Sequence, residues 1–282
     1  MWPKKKIFEL TTSAVVIGIL LLCGCATSQP EANPLTRKFA ELPMVGLNQR
    51  PILPTANHDL FNRDSLGFVA RSADNEAYGM PGWTRDLGQR FHKGVDILPV
   101  RWKTTGERMY VNYTDHSTGR AFSRWEKVKI PADAVYAILD GRVVISNPNE
   151  KRSGYGKYVM LEHHWGDGTP FVSLYAHLSR VEVQKGAFVR QGMRIGLIGQ
   201  TSNNPGGRYY LKFIPHLHFE VGCVIDPGFG FREDLEGLVP LSGPYDPRNI
   251  QPYQPLEFLS RFCATPAQAV PAVLSGREVP AK

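Results

Sequence analysis

From His216 onward, the run Phe213-Ile-Pro-His-Leu-His-Phe-Glu-Val221 alternates between polar, titratable side chains and apolar ones. In an extended chain alternate side chains point the same way, so Leu217, Phe219 and Val221 require a core behind the strand while His216 and His218 face one small volume. Such a segment fits a sheet with one face buried and two imidazoles side by side on the other. About 120 residues earlier, His92-Lys-Gly-Val-Asp96 brings a third imidazole and a carboxylate four positions apart, on one side of a strand or of a helix turn. Gly94-Val95 and the following Ile97-Leu98-Pro99 favour a strand or extended turn. Two imidazoles and one carboxylate suit zinc, and three protein ligands leave a fourth tetrahedral position open for water, as in catalytic rather than structural sites.

Neither motif is specific alone, because eight histidines in 282 residues produce some close pairs by chance. Their surroundings add weight. Ala134–Leu139, Gly141–Ser146, Tyr158–Glu162, Pro170–Ala176 and Arg194–Gly199 are β-branched or aromatic runs punctuated by glycine and asparagine, and Val183–Gly192 supplies tight turns. The expectation is a mainly β domain with no long amphipathic helix. Glu220 shares a strand face with His216 and His218. It either orients an imidazole from outside the coordination shell or forms an ordinary salt bridge. His163 and His164 fall at a hairpin end before Gly166-Asp-Gly168, where one or the other could line a groove, and His58 and His116 lie in polar surroundings expected to be exposed.

Tyr175-Ala-His-Leu-Ser179 lies between the two histidine motifs, with Tyr155-Gly-Lys-Tyr-Val159 before it and Gly196-Leu-Ile-Gly199 after it. Taken in this order, from about Phe91 to Val221, the set resembles the lysostaphin-type (LytM-like) zinc peptidases that cleave peptidoglycan cross-bridges. The resemblance implies an antiparallel β-sandwich or split barrel whose open groove holds Zn2+ on its floor. It carries the metal ligands onto His92, Asp96 and His218 and the catalytic histidines onto His177 and His216. All five positions are occupied, and no His-Glu-x-x-His motif supplies a glutamate base instead. The implied function is a zinc endopeptidase acting on peptidoglycan stem peptides or cross-links. The alternative is a non-catalytic LytM-like factor that binds peptidoglycan or activates another wall hydrolase. A third reading is a zinc-binding or sensing protein.

Three stretches depart from the family pattern. About 37 residues separate Asp96 from Ala134, including Arg101, Trp102, Tyr110, Tyr113, Arg120, Arg124 and Trp125, and a connection of that length is usually functional or mobile. It could bind peptide or glycan, or cover one sheet face. Residues 203–214 and 222–247 are further inserts, the first expected to rim the groove beside the long connection. An activator or wall-hydrolase partner fits such additions.

The N-terminus has the form of a bacterial lipoprotein signal: Lys4-Lys-Lys6, an apolar stretch Ala14–Leu22, then Leu22-Cys-Gly-Cys25. Its apolar core is short of the roughly 20 residues that span a bilayer. Residues 1–24 are read as the signal peptide and Cys25 as the lipidated residue. Residues 25–59 are read as a flexible tether, 60–262 as the domain and 263–282 as a disordered tail. Membrane attachment through the N-terminal lipid then places the domain in the cell envelope, with Ala26 after the cysteine pointing to the outer membrane facing the periplasm. Cys223 and Cys263 remain as an even pair, with a disulfide between them left open. Losing Lys4, Lys5, Lys6 and Glu9 with the signal takes the formal net charge from +7 to +5, which favours anionic wall polymers or headgroups. No basic helix or recognised motif points to nucleic acid.

Overall fold

The computed structural model describes residues 37–62, 67–70, 77–114, 118, 120–203, 214–229 and 243–263. The signal peptide, Cys25, His116, the tail from residue 264, and residues 204–213 and 230–242 of the later inserts lie outside the described residues. Regular structure consists of β1 (Gly82–Arg85), β2 (Arg90–His92), β3 (Val95–Ile97), β4 (Trp102–Thr114), β5 (Ala121–Pro131), β6 (Ala134–Tyr136), β7 (Gly141–Asn147), β8 (Lys157–His164), β9 (Pro170–Leu178), β10 (Arg180–Val181), β11 (Phe188–Val189), β12 (Arg194–Leu197), β13 (Leu217–Val224), β14 (Ile250–Tyr253) and the helix α1 (Pro255–Phe262), with short 3-10 turns between. The domain is mainly β and its named strands pair antiparallel, as the alternation required.

The main sheet runs β11-β7-β8-β9-β13-β14, and β3 also pairs with β13. Leu217, Phe219 and Val221 are buried on one face with Val143, Val159, Leu161 and Tyr175. A smaller sheet, β10-β12-β6, contributes Val135 and Ile195 to the same core. Helix α1 closes one end of it. Pro255 starts the helix, the Gln254 side chain accepts from the Glu257 amide at 2.9 Å, and Phe258 and Phe262 pack edge-on against Trp165. The opposite face of the main sheet carries Val144, Ile145, Met160, Val172, Leu174 and Ala176. Because His218 pairs with Ala176 and Glu220 with Leu174, those two polar residues stand on this second face.

Three expectations are corrected, and the cysteine pairing left open is answered. The tether reading fails from Ala40 onward. The Ala40 amide bonds to the Pro252 carbonyl, Leu42, Ile52 and Leu53 are buried, and Asn57 Nδ2 donates to the Leu98 carbonyl at 2.9 Å. Polar, proline-containing composition concealed these few apolar anchors. The long connection after Asp96 is an ordered ribbon, β4 against β5, rather than an irregular loop. His58 is half-buried rather than exposed. Cys223 and Cys263 are both free thiols, the first beside Tyr253 and the second donating to the Ile52 carbonyl across 3.6 Å.

His163 lies in the core and not in the groove. Its Nδ1 donates to the Asp140 carbonyl at 2.8 Å, and Ser173 Oγ sits 2.7 Å from Nε2. Burial lowers its pKa from 6.5 to about 4, so it is neutral in the folded protein. The unfolded chain takes up this proton at the higher value. Between the two values the unfolded state binds more protons, so stability is lost as pH drops from about 6.5 toward 4, by at most ~3 kcal/mol from this group. Urea unfolding at pH 7 and pH 4.5 should therefore show a larger loss of stability for the parent than for His163→Gln; equal losses would mean His163 does not titrate in this window.

Candidate metal centre

Backbone register builds the site. Asp96 on β3 lies directly opposite His218 on β13, and His92 ends β2, four residues before Asp96. The His-x-Gly-x-Asp spacing has a steric reason. A Cβ on Gly94 would stand 2.7 Å from His218 Cε1 and from the Phe219 carbonyl, so the chain between the two ligands passes too close to His218 for any side chain.

The donors His92 Nε2, Asp96 Oδ1 and His218 Nδ1 form a nearly equilateral triangle: 3.0 Å between the imidazoles, 3.2 Å from His92 to Asp96 and 3.0 Å from His218 to Asp96. A tetrahedral zinc ion with bonds of ~2.0–2.1 Å spaces its ligands by roughly 3.3 Å, so the triangle suits it with slight expansion. Among the described residues this is the group of His, Cys, Asp and Glu side chains able to hold a metal ion. All three are buried, Asp96 fully.

Each imidazole has its tautomer fixed by a group that can only accept. His92 Nδ1 donates to the Met80 carbonyl at 2.8 Å, which leaves Nε2 with its lone pair for a metal. His218 Nε2 lies 2.7 Å from Glu220 Oε1, leaving Nδ1 as the donor atom. Glu220 is thus the acceptor that orients His218, and Tyr155 Oη donates to the same Oε1 at 2.8 Å. Burial and the Glu220 charge push the Tyr155 phenol well above its ordinary range, so it remains a donor.

His177 and His216 stand beside the triangle. His177 Nδ1 donates to the Thr201 carbonyl at 2.8 Å and His216 Nδ1 to the Ile214 carbonyl at 2.5 Å, so each keeps Nε2 unprotonated when neutral. Their ring centroids are 5.0 Å apart, and His177 lies 5.7 Å from His218. His216 Nε2 is 3.4 Å from Asp96 Oδ1. Burial lowers both pKa values, His216 to about 4 and His177 well below 6.5.

His177 reaches this place by a backbone irregularity. Ala176 pairs with His218, so strict alternation would turn His177 to the other face. The β8–β9 register shifts between Lys157 and Val159, and His177 adopts a left-handed φ of 61°, which brings its ring back toward the site. Gly156, at φ 63°, lets the Thr201 carbonyl come close: an added Cβ would sit 2.1 Å from that oxygen.

Arg85 is the residue that motif reading missed. It is buried at 6% exposure, its guanidinium stacks over Tyr78 at 3.8 Å, and Nη2 is ion-paired to Asp96 Oδ2 and 3.0 Å from His92 Nε2. A metal on His92 Nε2 would replace the second contact and leave the first. Nothing in the sequence separates Arg85 from Arg90, which opens β2, exposed and paired with Asp86. What sets them apart is the long-range contact of Arg85 with Asp96 on β3.

Residues 126–227 match the family described as Peptidase family M23. The match takes in His177, His216 and His218. His92 and Asp96 precede it, on the far side of the ribbon, and join the site through the β3–β13 pairing. The chain is 34% identical over 101 residues to the peptidoglycan DD-endopeptidase ShyB of Vibrio cholerae, covering 36% of this chain and 20% of that one. To ShyA of the same organism it is 37% identical over 87 residues, 31% and 17% of the two chains. The chain therefore spans about a fifth of the curated relatives it matches. Among solved structures, lysostaphin from Staphylococcus simulans is 21% identical with a TM-score of 0.37, over 70% of this chain and 53% of that one.

Two outcomes follow for metal binding. Burial depresses the His218 pKa, but the Asp96 and Glu220 carboxylates outweigh it and raise the value to about 9. Ligation through Nδ1 displaces that proton, so zinc affinity measured against a competing chelator should rise about tenfold per pH unit up to that value. Arg85→Met, which frees Asp96 Oδ2 to rotate, should weaken zinc binding about 10- to 100-fold, with Arg85→Lys intermediate, in the same titration.

Proposed function

From the match of residues 126–227 to peptidase family M23, we propose that the protein is a zinc-dependent endopeptidase that hydrolyses peptidoglycan stem peptides or cross-links. The observation that carries this reading is the pairing of a three-donor metal site with two further imidazoles, His177 and His216, whose Nε2 atoms are kept free of protons by carbonyl acceptors on Nδ1. A structural zinc site would not need that second pair. The peptidoglycan DD-endopeptidases ShyA and ShyB support the bond between D-alanine and diaminopimelate as the one cut.

His92, Asp96 and His218 would hold the metal. Bound there, zinc supplies a Lewis acid for the scissile carbonyl and lowers the pKa of water from about 15.7 to about 7. The remaining work belongs to the chain. His177 and His216 enter neutral, because burial disfavours their charged forms, and one of them takes the proton from the attacking water at Nε2. The other, its Nε2 also unprotonated, accepts a hydrogen bond that orients the attacking water. The proton then passes to the departing amine. Thr201 and Ile214 hold the two rings still through Nδ1, so the geometry is paid for in folding rather than at each turnover.

The chain is held to the envelope through lipid on Cys25, with the domain facing the periplasm from the outer membrane. Its leader and cysteine context support this, as does a substrate that lies in the same compartment.

Digestion of purified peptidoglycan by the intact protein with zinc should give cross-link-cleaved muropeptides, read by chromatography and mass. His216→Ala should cut turnover by about 10²- to 10⁴-fold and keep its metal. His218→Ala should lose metal and turnover together. An empty site in His216→Ala would overturn the ligand assignment, and no products from folded, zinc-loaded parent would favour the non-catalytic wall-binding factor.

A further inference from the structure

The ribbon β4–β5 is the large feature that the metal centre leaves unused. Its strands pair along most of their length, yet of its described side chains only Val128 and Pro131 are buried. Directly opposed residues of antiparallel strands share a face, and successive residues alternate. Trp102, opposite Pro131, and Arg108, opposite Lys127, therefore share one face with Trp125 and Lys129. All five of Trp102, Arg108, Trp125, Lys127 and Lys129 are exposed, the two indoles at 45% and 58%. Val128, with half-buried Glu126 and Ile130, lies on the opposite face. Among the described residues, register puts no acidic residue on the aromatic and cationic face, Glu126 being on the opposite one and Glu107 in the bulge of β4. Residues 101–131 hold seven cationic and three acidic side chains, a net of +4 within a chain of +7.

The base of the ribbon is fixed. Buried Asp133 accepts from the amides of Val100 at 3.1 Å and Arg101 at 2.7 Å, and the Ala132 amide bonds to the Arg101 carbonyl. Trp102 follows Asp96 by six residues, which places the root within ~20 Å of the metal ligand at full extension. Trp102 lies at the root opposite Pro131, and Trp125 stands six residues further out along β5, roughly 20 Å along the strands. That spacing disfavours a bilayer, which would take aromatic residues gathered at one level. It suits a linear polymer lying along the ribbon, with sugar rings stacked on the indoles and carboxylates meeting the cations between them.

We propose that this face holds the carboxylate-bearing glycan and peptide strands of peptidoglycan beside the cleft, retaining the protein on insoluble wall without taking part in bond cleavage. The proposal rests on the wall substrate argued above. Its test separates retention from cutting. The full chain carrying Cys25→Ser and His216→Ala, without lipid or turnover, is pelleted with insoluble peptidoglycan and with phosphatidylglycerol vesicles. Adding Lys127→Glu and Lys129→Glu, or separately Trp125→Ala, should reduce the fraction bound to peptidoglycan at least about tenfold for the charge reversals, with salt weakening the parent in the same sense. With His216 restored, cleavage of a small soluble cross-linked muropeptide should be unchanged by either ribbon variant. Retention equal to the parent overturns the proposal, as does loss confined to vesicles. Loss of wall retention in a chain that cuts no peptide even with His216 restored would uphold the surface while the endopeptidase reading fell.

Discussion

A carboxylate with no exposed surface sits at the centre of this protein. Asp96 is fully buried, and an unpaired charge in such a place costs several kcal/mol. Its environment answers that cost from several directions. His218 is opposite it in the β3–β13 ladder, His92 precedes it by four residues, His216 approaches from the start of β13, and Arg85 pairs with its second oxygen. Burial would raise the Asp96 pKa, but the imidazoles of His216, His92 and His218 hold it well below the ordinary carboxylate value. The same concentration of donor atoms around one anion has the spacing that suits a divalent cation.

From that anion outward, the arrangement is a set of hydrogen bonds that decide which ring nitrogen faces inward. Met80, Glu220, Thr201 and Ile214 each hold the outward nitrogen of one histidine. The four rings thereby divide into two that join Asp96 in the three-donor cluster and two that stand beside it, without any difference in residue type. His177 and His216 differ from the ligands in position alone, and His177 takes its position through a left-handed backbone. Strain at that residue is held by packing around it, including the close approach of Thr201 to Gly156.

Much of this was legible from residue order. Strand boundaries fell within two or three residues of the runs rich in Val, Ile, Tyr and Phe, because those runs are buried on at least one face. Glu220 was correctly placed beside His218, since period-two alternation leaves no other arrangement once Phe219 is in the core. The failures share a cause. The ribbon read as a loop because its exposed cations, threonines and aromatics bury little and so show no hydrophobic period. The segment from Ala40 to Asn57 read as a tether because three apolar anchors and a set of backbone hydrogen bonds hold it, and neither leaves a periodic pattern. Residue order left the pairing of Cys223 and Cys263 open, and their neighbours are a tyrosine and a carbonyl.

By itself the sequence determined which face of the last strand of the site is polar and that His216, His218 and Glu220 share it. These follow from local geometry, in which side-chain direction depends only on backbone period. Tertiary structure decided that Asp96 faces His218 rather than a neighbour one register away, that a bulge returns His177 to the site, and that Arg85 instead of Arg90 meets the buried carboxylate. Register, bulges and ion-pair choice are settled by contacts between residues far apart in the chain, and those contacts exist only once the strands have come together.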